Sequence, residues 1–218
     1  MKVLYPILAS VWLAAAAGMV QAADSPAAPA ATVPNDDPGK LVQGVAQAML
    51  KDLDANREAY RKDPTKVSAL VEKYLLPNFD TKYSARLVLG RHWRSATPDQ
   101  QERFVNAFYH SLLNNYGGAL VEFTGDRLKI LPAQVDANGE NATVRTEVRR
   151  SNGQTIPVNY TLRKTPDGWK AWDVVIEGIS YVKSFREDFG AEIDQKGLDA
   201  VIERIEKGGK PIPAGQPS

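Results

Sequence analysis

The hydrophobic period changes partway along this chain, and the change restricts its fold more than any other feature. Phe104, Phe108, Leu112 and Tyr116 recur every fourth residue, with Val105 and Leu113 beside them, which gives one broad apolar face at helical spacing. From Asp126 onward the period is two, and Asn138-Gly139, Asn152-Gly153 and Asp167-Gly168 punctuate it at hairpin spacing. The spacing predicts four antiparallel strands in a meander. A sheet of that kind with one apolar face has to be covered by helices, so the expected fold is α+β rather than a sandwich or a doubly wound sheet.

The helices can be placed by their caps. Asp37-Pro38 starts a first helix running to about Lys62, with Leu41, Val45, Met49 and Leu53 on one side. Asp63-Pro64 repeats the signal, and Pro77 ends the second helix. The stretch "DTKYSARLVLG" closes a third at Gly90, and "TPDQ" supplies Thr97 and Gln100 as a capping box for the fourth. Two C-terminal helices carry Tyr181, Phe185, Phe189 and Ile193, then Leu198, Val201, Ile202 and Ile205, separated by Gly197. By strand parity, Val144 and Val148 lie opposite Arg145, Glu147 and Arg149, and Ile156, Val158, Tyr160 and Leu162 share a side. Trp172, Val174 and Ile176 are expected together, with Gly178 turning the chain and Ile179 beginning the closing helix.

The 218 residues fit one domain, and 43% hydrophobic with 24% charged residues is the composition of a folded, soluble chain. A formal charge of +1 lacks the basic excess that phosphate-backbone binding requires, so nucleic acid is not an expected partner. Residues 1–22 read as a secretory signal peptide: Lys2, an apolar run from Val3 to Val20, and small residues for cleavage. Residues 23–37 read as a flexible Ala/Pro-rich leader, 38–208 as the single domain and 209–218 as a flexible tail.

Catalytic motifs are missing from the sequence. No Gly-rich phosphate loop, nucleophile elbow or dinucleotide fingerprint occurs, and cysteine is absent. His92 and His110 read as exposed or packed imidazoles. Asp173 and Glu177 share strand parity but stand about 13 Å apart at about 3.3 Å per residue, too far for paired carboxylate chemistry. They are expected on an outer charged face, pairing with Arg145 and Arg149. Sequons at Asn141 and Asn159 fall inside predicted strands and are discounted.

"LVLGRHWRSATPDQQERFVNAFYHSLLNNYGGAL" followed by "GWKAWDVVIEGISYVKSFREDFG" resembles the MlaC, or toluene tolerance, family of periplasmic phospholipid-binding proteins. The resemblance spans most of the chain beyond the signal. It implies a cone-like fold, similar to nuclear transport factor two, with an apolar cavity between sheet and helices. It also implies a periplasmic carrier with no cofactor, phospholipid being its cargo. The implied partners are an inner-membrane ABC transporter complex with its MCE-domain subunit and an outer-membrane lipoprotein–porin complex, and the implied role is maintenance of outer-membrane lipid asymmetry. On this reading the expected lipid-binding lining is Leu87, Phe104, Phe108, Leu112, Val144, Val158, Tyr160, Trp172, Val174 and Ile176. Arg91, Arg94, Arg145 and Arg149 are candidates for headgroup or partner contacts. Neither a catalytic residue nor a metal is expected. The alternatives are a ketosteroid-isomerase-like enzyme using Asp173 and Tyr160, and a lipid-free envelope adaptor.

Overall fold

The computed structural model describes residues 33–116, 124, 127–149 and 152–209. The predicted signal peptide, most of the leader and all but the first residue of the tail lie outside these residues. Helix α1 (Pro38–Lys62) starts where Asp37 accepts the Lys40 backbone N–H at 2.8 Å. Its buried stripe is Leu41, Val45, Met49 and Leu53. Helix α2 (Pro64–Tyr74) folds back on α1 through one carboxylate. Asp52 accepts from Tyr60 Oη at 2.7 Å and Tyr74 Oη at 2.9 Å, with Lys73 Nζ at 3.2 Å.

A 3-10 turn (Leu76–Asn78) leads to α3 (Thr81–Leu89), capped by Asp80, which accepts the Tyr83 N–H at 3.1 Å. Gly90 stops α3 at φ +54°, a left-handed conformation that side chains disfavour. The segment read as a turn around His92 contains one helical turn, α4 (His92–Ser95). Helix α5 (Pro98–Tyr116) opens on the expected reciprocal box: Gln100 N–H donates to Thr97 Oγ1 at 3.2 Å and Thr97 N–H to Gln100 Oε1 at 2.9 Å.

The sheet is an antiparallel meander of six strands among the described residues, not four. The first expected strand is split into β1 (Leu128–Ile130) and β2 (Gln134–Val135), both paired with β3 (Asn141–Arg149). Pro132 lies between them and has no N–H to give the ladder. Strands β4 (Thr155–Thr165) and β5 (Gly168–Ile176) follow, and β6 (Ile179–Ser180) pairs with the end of β5. Ile179 is therefore an exposed strand residue; Ser180 caps α6 (Tyr181–Lys196), which precedes α7 (Leu198–Glu206).

Residues 33–36, expected in the leader, run along the β4–β5 hairpin. The Trp169 N–H donates to the Asn35 carbonyl at 2.8 Å, and the Asn35 amide donates to the Asp167 carbonyl. Gly168 is needed twice over at this crossing: its φ is +96°, and a Cβ would stand 2.5 Å from the Asn35 side chain.

Among the described residues the apolar side chains gather in three clusters, the smallest being Met49, Leu53 and Leu70 between α1 and α2, and the other two larger. Leu41 and Val45 of α1 cover Ala142, Val144, Leu162, Trp169 and Ala171 on one sheet face. Helices α3, α5, α6 and α7 form the other around Phe104, Phe108, Phe185 and Phe189. Polar ties hold the helical body: Arg103 binds Glu206 through two bonds of 3.0 and 2.8 Å, and Arg204 binds Glu192 through two of 2.8 and 2.7 Å.

Candidate functional site

The β4–β5 pair holds the departure from sequence parity that matters most for the site. Thr161 faces Asp173 and Leu162 faces Ala171, so Trp172 is one extra residue, a β-bulge. Strand parity assumes an unbroken period of two, and one inserted residue reverses it. Trp169 and Ala171 therefore share the buried face before the bulge, while Val174 and Ile176 occupy it afterwards. Trp172 does not join them in the alternation. It packs with the helical core and meets Tyr83 of α3 edge-on at 5.7 Å between ring centroids.

Asp173 is indoors, against expectation: it keeps the face opposite Val174, and the start of α6 covers it there. The residue is 4% exposed; its carboxylate accepts from Ser180 Oγ at 2.6 Å and from the Val182 N–H at 3.0 Å. Asp173 thus anchors the start of α6, where helix N–H groups lack intrahelical acceptors. Burial pushes its pKa above the usual carboxylate value, and these hydrogen bonds oppose that shift. Glu177 is not on the strand. It sits exposed in the following turn at φ +51°, so the two carboxylates have unrelated surroundings.

The ten residues expected to line a cavity fall into two environments. Phe104 and Phe108 stack on each other at 5.6 Å and meet Phe189 edge-on, and Val144 lies under α1; these three are fully buried among protein side chains. Leu87, Leu112, Tyr160, Trp172, Val174 and Ile176 keep part of their surface accessible, and Val158 lies between the two groups at 8%. The strand register brings four of them together, since Val158 faces Ile176 and Tyr160 faces Val174. Directly opposed residues share a face, so these four side chains form one contiguous patch.

Burial pushes the Tyr160 hydroxyl to a higher pKa although the residue keeps accessible surface. Tyr109 of α5 behaves alike. Burial pushes its hydroxyl up, with the Ser84 hydroxyl nearby opposing, and Oη completes no hydrogen bond among the described residues; nor does Trp172 Nε1. Tyr109 was missed in the sequence, although Tyr109, Leu112 and Leu113 recur at i, i+3 and i+4 beside the phenylalanine stripe.

The candidate arginines occupy separate elements. Arg91 pairs with Asp194, which His92 also approaches at 3.4 Å, and exposed Arg94 follows on α4. Arg145 and Arg149 project from β3. An open groove of about 790 Å³ runs between α1 and the β1–β2 edge, past Lys40, Gln43, Leu50, Ile130 and Val135, and contains none of the expected lining. Among the described residues there is no cluster of three or more His, Asp or Glu able to hold a metal, and no helix long and apolar enough to cross a membrane.

Helices packed about a bulged antiparallel meander, with an apolar patch left partly uncovered on its central strands, define an α+β domain. The family model for MlaC protein matches residues 43–207, and the chain belongs to that family. It is 34% identical over 172 residues to toluene tolerance protein ttg2D of Pseudomonas putida, covering 78% of this chain and 80% of that relative. It is 24% identical over 173 residues to the intermembrane phospholipid transport system binding protein MlaC of Haemophilus influenzae, covering 78% and 81%. A phospholipid-binding protein from Ralstonia solanacearum, solved in complex with a phospholipid, superposes with a TM-score of 0.73 at 25% identity, covering 79% of this chain and 97% of that one.

Proposed function

We propose that this protein is a periplasmic phospholipid carrier that holds acyl chains between the β4–β5 face and the helices. On this reading it shuttles lipid between outer-membrane lipoprotein–porin and inner-membrane transporter complexes, maintaining outer-membrane asymmetry. The observation that carries the proposal is the patch of Val158, Tyr160, Val174 and Ile176, part-accessible yet interior, in a fold that matches a phospholipid complex. Val144, opposite Tyr160 on β3, backs that wall, Phe104 and Phe108 belong to the solid helical core beside it, and Leu87, Leu112 and Trp172 extend the wall from that core.

The energetics suit a carrier. Each methylene moved out of water is worth about 0.8 kcal/mol, so a sixteen-carbon chain gains about 12 kcal/mol. Release into water is then slow, and unloading requires a docked partner that offers an apolar path and favours the open state. No chemical step is part of the proposal: Asp173, the acid an isomerase reading would use, is occupied in anchoring α6.

Mass spectrometry of a solvent extract from protein purified without detergent tests the reading. Stoichiometric phospholipid is expected. Its absence from folded protein would leave the adaptor, and turnover of a lipophilic substrate abolished by Asp173→Asn would establish the enzyme instead.

A further inference from the structure

Lys82 and Arg86 lie one turn apart on the exposed side of α3, and Lys183 and Arg186 lie on the exposed side of α6. The two helices pack along each other, with Ala85, Val88 and Leu89 in one cluster with Val182, Phe185 and Phe189. Arg186 leans over the end of α3, where a Cβ on Gly90 would stand 2.9 Å from its Nε. Arg94 is exposed on α4, the turn of helix that follows α3, and Arg91 before it pairs with Asp194 of α6. Among the described residues no carboxylate forms an ion pair with Lys82, Arg86, Arg94, Lys183 or Arg186.

The acids nearby are few. Glu187 and Asp194 are exposed on α6, Asp188 is half-buried, and Lys183 acts at a distance on buried Asp173. A chain of formal net charge +1 has thus gathered unpaired cations on one helix pair, where they repel one another. We propose that this face is a docking surface for an anionic phospholipid bilayer, a surface step that rests on the carrier reading.

One observation favours a plane of phosphates over an acidic protein. Protein interfaces centre on buried apolar or aromatic anchors with charge at the rim, whereas the exposed large hydrophobics among the described residues are Val135 and Ile179, neither of them on α3 or α6. The arginines among these cations suit phosphate and carboxylate oxygens alike, so they make the face an anion binder without choosing between the two. The contact is therefore electrostatic and shallow, which lets the protein leave the bilayer once a partner complex is met.

Flotation of the purified protein with vesicles tests the proposal. Vesicles containing about one third phosphatidylglycerol should bind it at least about a hundredfold better than pure phosphatidylcholine, and about 0.5 M salt should abolish the difference. Each cation near an anionic bilayer contributes about a fivefold factor, so Lys82→Gln, Arg86→Gln, Lys183→Gln and Arg186→Gln together should weaken binding by about a hundredfold or more. A control with Lys51→Gln, Lys66→Gln, Lys164→Gln and Lys170→Gln removes the same charge elsewhere and should float like the parent. Equal binding to both vesicles, retention by the first variant, or an equal loss in the control would overturn the docking surface. So would a parent that ignores vesicles but pairs through these cations with an acidic protein. Lipid content of the same preparations, read by extraction, reports separately on the carrier reading, because none of the substituted side chains belongs to the proposed wall.

Discussion

Val174→Trp separates a hollow wall from a solid core in one experiment. Val174 faces Tyr160 across the β4–β5 ladder, keeps accessible surface and stands beside Ile176 on the same face. If the space in front of it were filled by protein, the indole would force neighbours off their rotamers at a cost of about 1–3 kcal/mol. For a domain of this size that cost lowers Tm by roughly 2–4 °C per kcal/mol, a fall of about 2–12 °C. If the space is the lipid's, the indole fits without strain and displaces hydrocarbon instead. Excluding three or four methylenes forfeits about 3 kcal/mol of burial, which weakens retention about a hundredfold. Quantitative lipid extraction of the proteins as purified, and thermal melting of both after delipidation, read the two quantities without the stabilisation that bound lipid itself supplies. The expected result is strongly depleted lipid in the variant and a delipidated Tm within about 2 °C of the delipidated parent. A melting point several degrees lower with lipid content unchanged would refute the wall assignment.

Phe108→Ala should behave oppositely: the ring is fully buried against Phe104, Phe185 and Phe189, so chemical denaturation should show a loss of about 3–5 kcal/mol. Asp52→Ala removes the acceptor shared by Tyr60, Tyr74 and Lys73, and hydrogen exchange should show α2 opening more readily, with about 1–3 kcal/mol lost in equilibrium unfolding. Burial alone would raise the Asp52 pKa, but the hydrogen bonds from Tyr60, Tyr74, Lys73 and Asn56 hold it below 3.8. Its stabilisation is therefore present above pH 3.8 and lost as pH falls through the lower folded value, so Asp52→Asn should flatten the acid limb of the stability profile. Asp173 has the opposite sign: its folded pKa is raised, so the contribution of its proton is complete below 3.8 and lost as pH rises through the folded value. Asp173→Asn should abolish that upward-pH loss while keeping an acceptor for the Val182 N–H, as paired melting curves across mildly acid pH would show.

Local signals made most of the fold legible. Asp37 and the Thr97–Gln100 box announce helix starts through side-chain chemistry that acts within one turn, and each forms as expected. The hairpin glycines fixed the meander order for the same reason, because a positive φ is demanded by the turn itself. What failed was whatever depended on a distant partner. Pro132 divides an apparent strand because β3 offers a ladder that it cannot fully join, and Val33 to Asp36 leave the expected leader because Trp169 gives them a donor. The phenylalanine stripe of α5 is plain in the sequence, but whether such a stripe ends in core or wall depends on what α6 sets against it. Phe185 and Phe189 fill the space before Phe104 and Phe108, and no counterpart among the described residues fully covers Val174 and Ile176.

The bulge at Trp172 shows how one residue can serve fold and site together. Without it, Asp173 would not be brought beside α6, and the first turn of that helix would lose both the Val182 acceptor and the partner that orients its Ser180 cap. With it, the strand changes parity midway, so Ala171 can lie under α1 while Val174 and Ile176, three and five positions on, still face the same side as Tyr160 and Val158. The half of the face before the bulge is closed by a helix and the half after it is not. A uniform strand would give both halves one fate: an unbroken alternation that buried Ala171 would turn Val174 and Ile176 outward, exchanging an apolar wall for the face that carries Asn159 and Thr161.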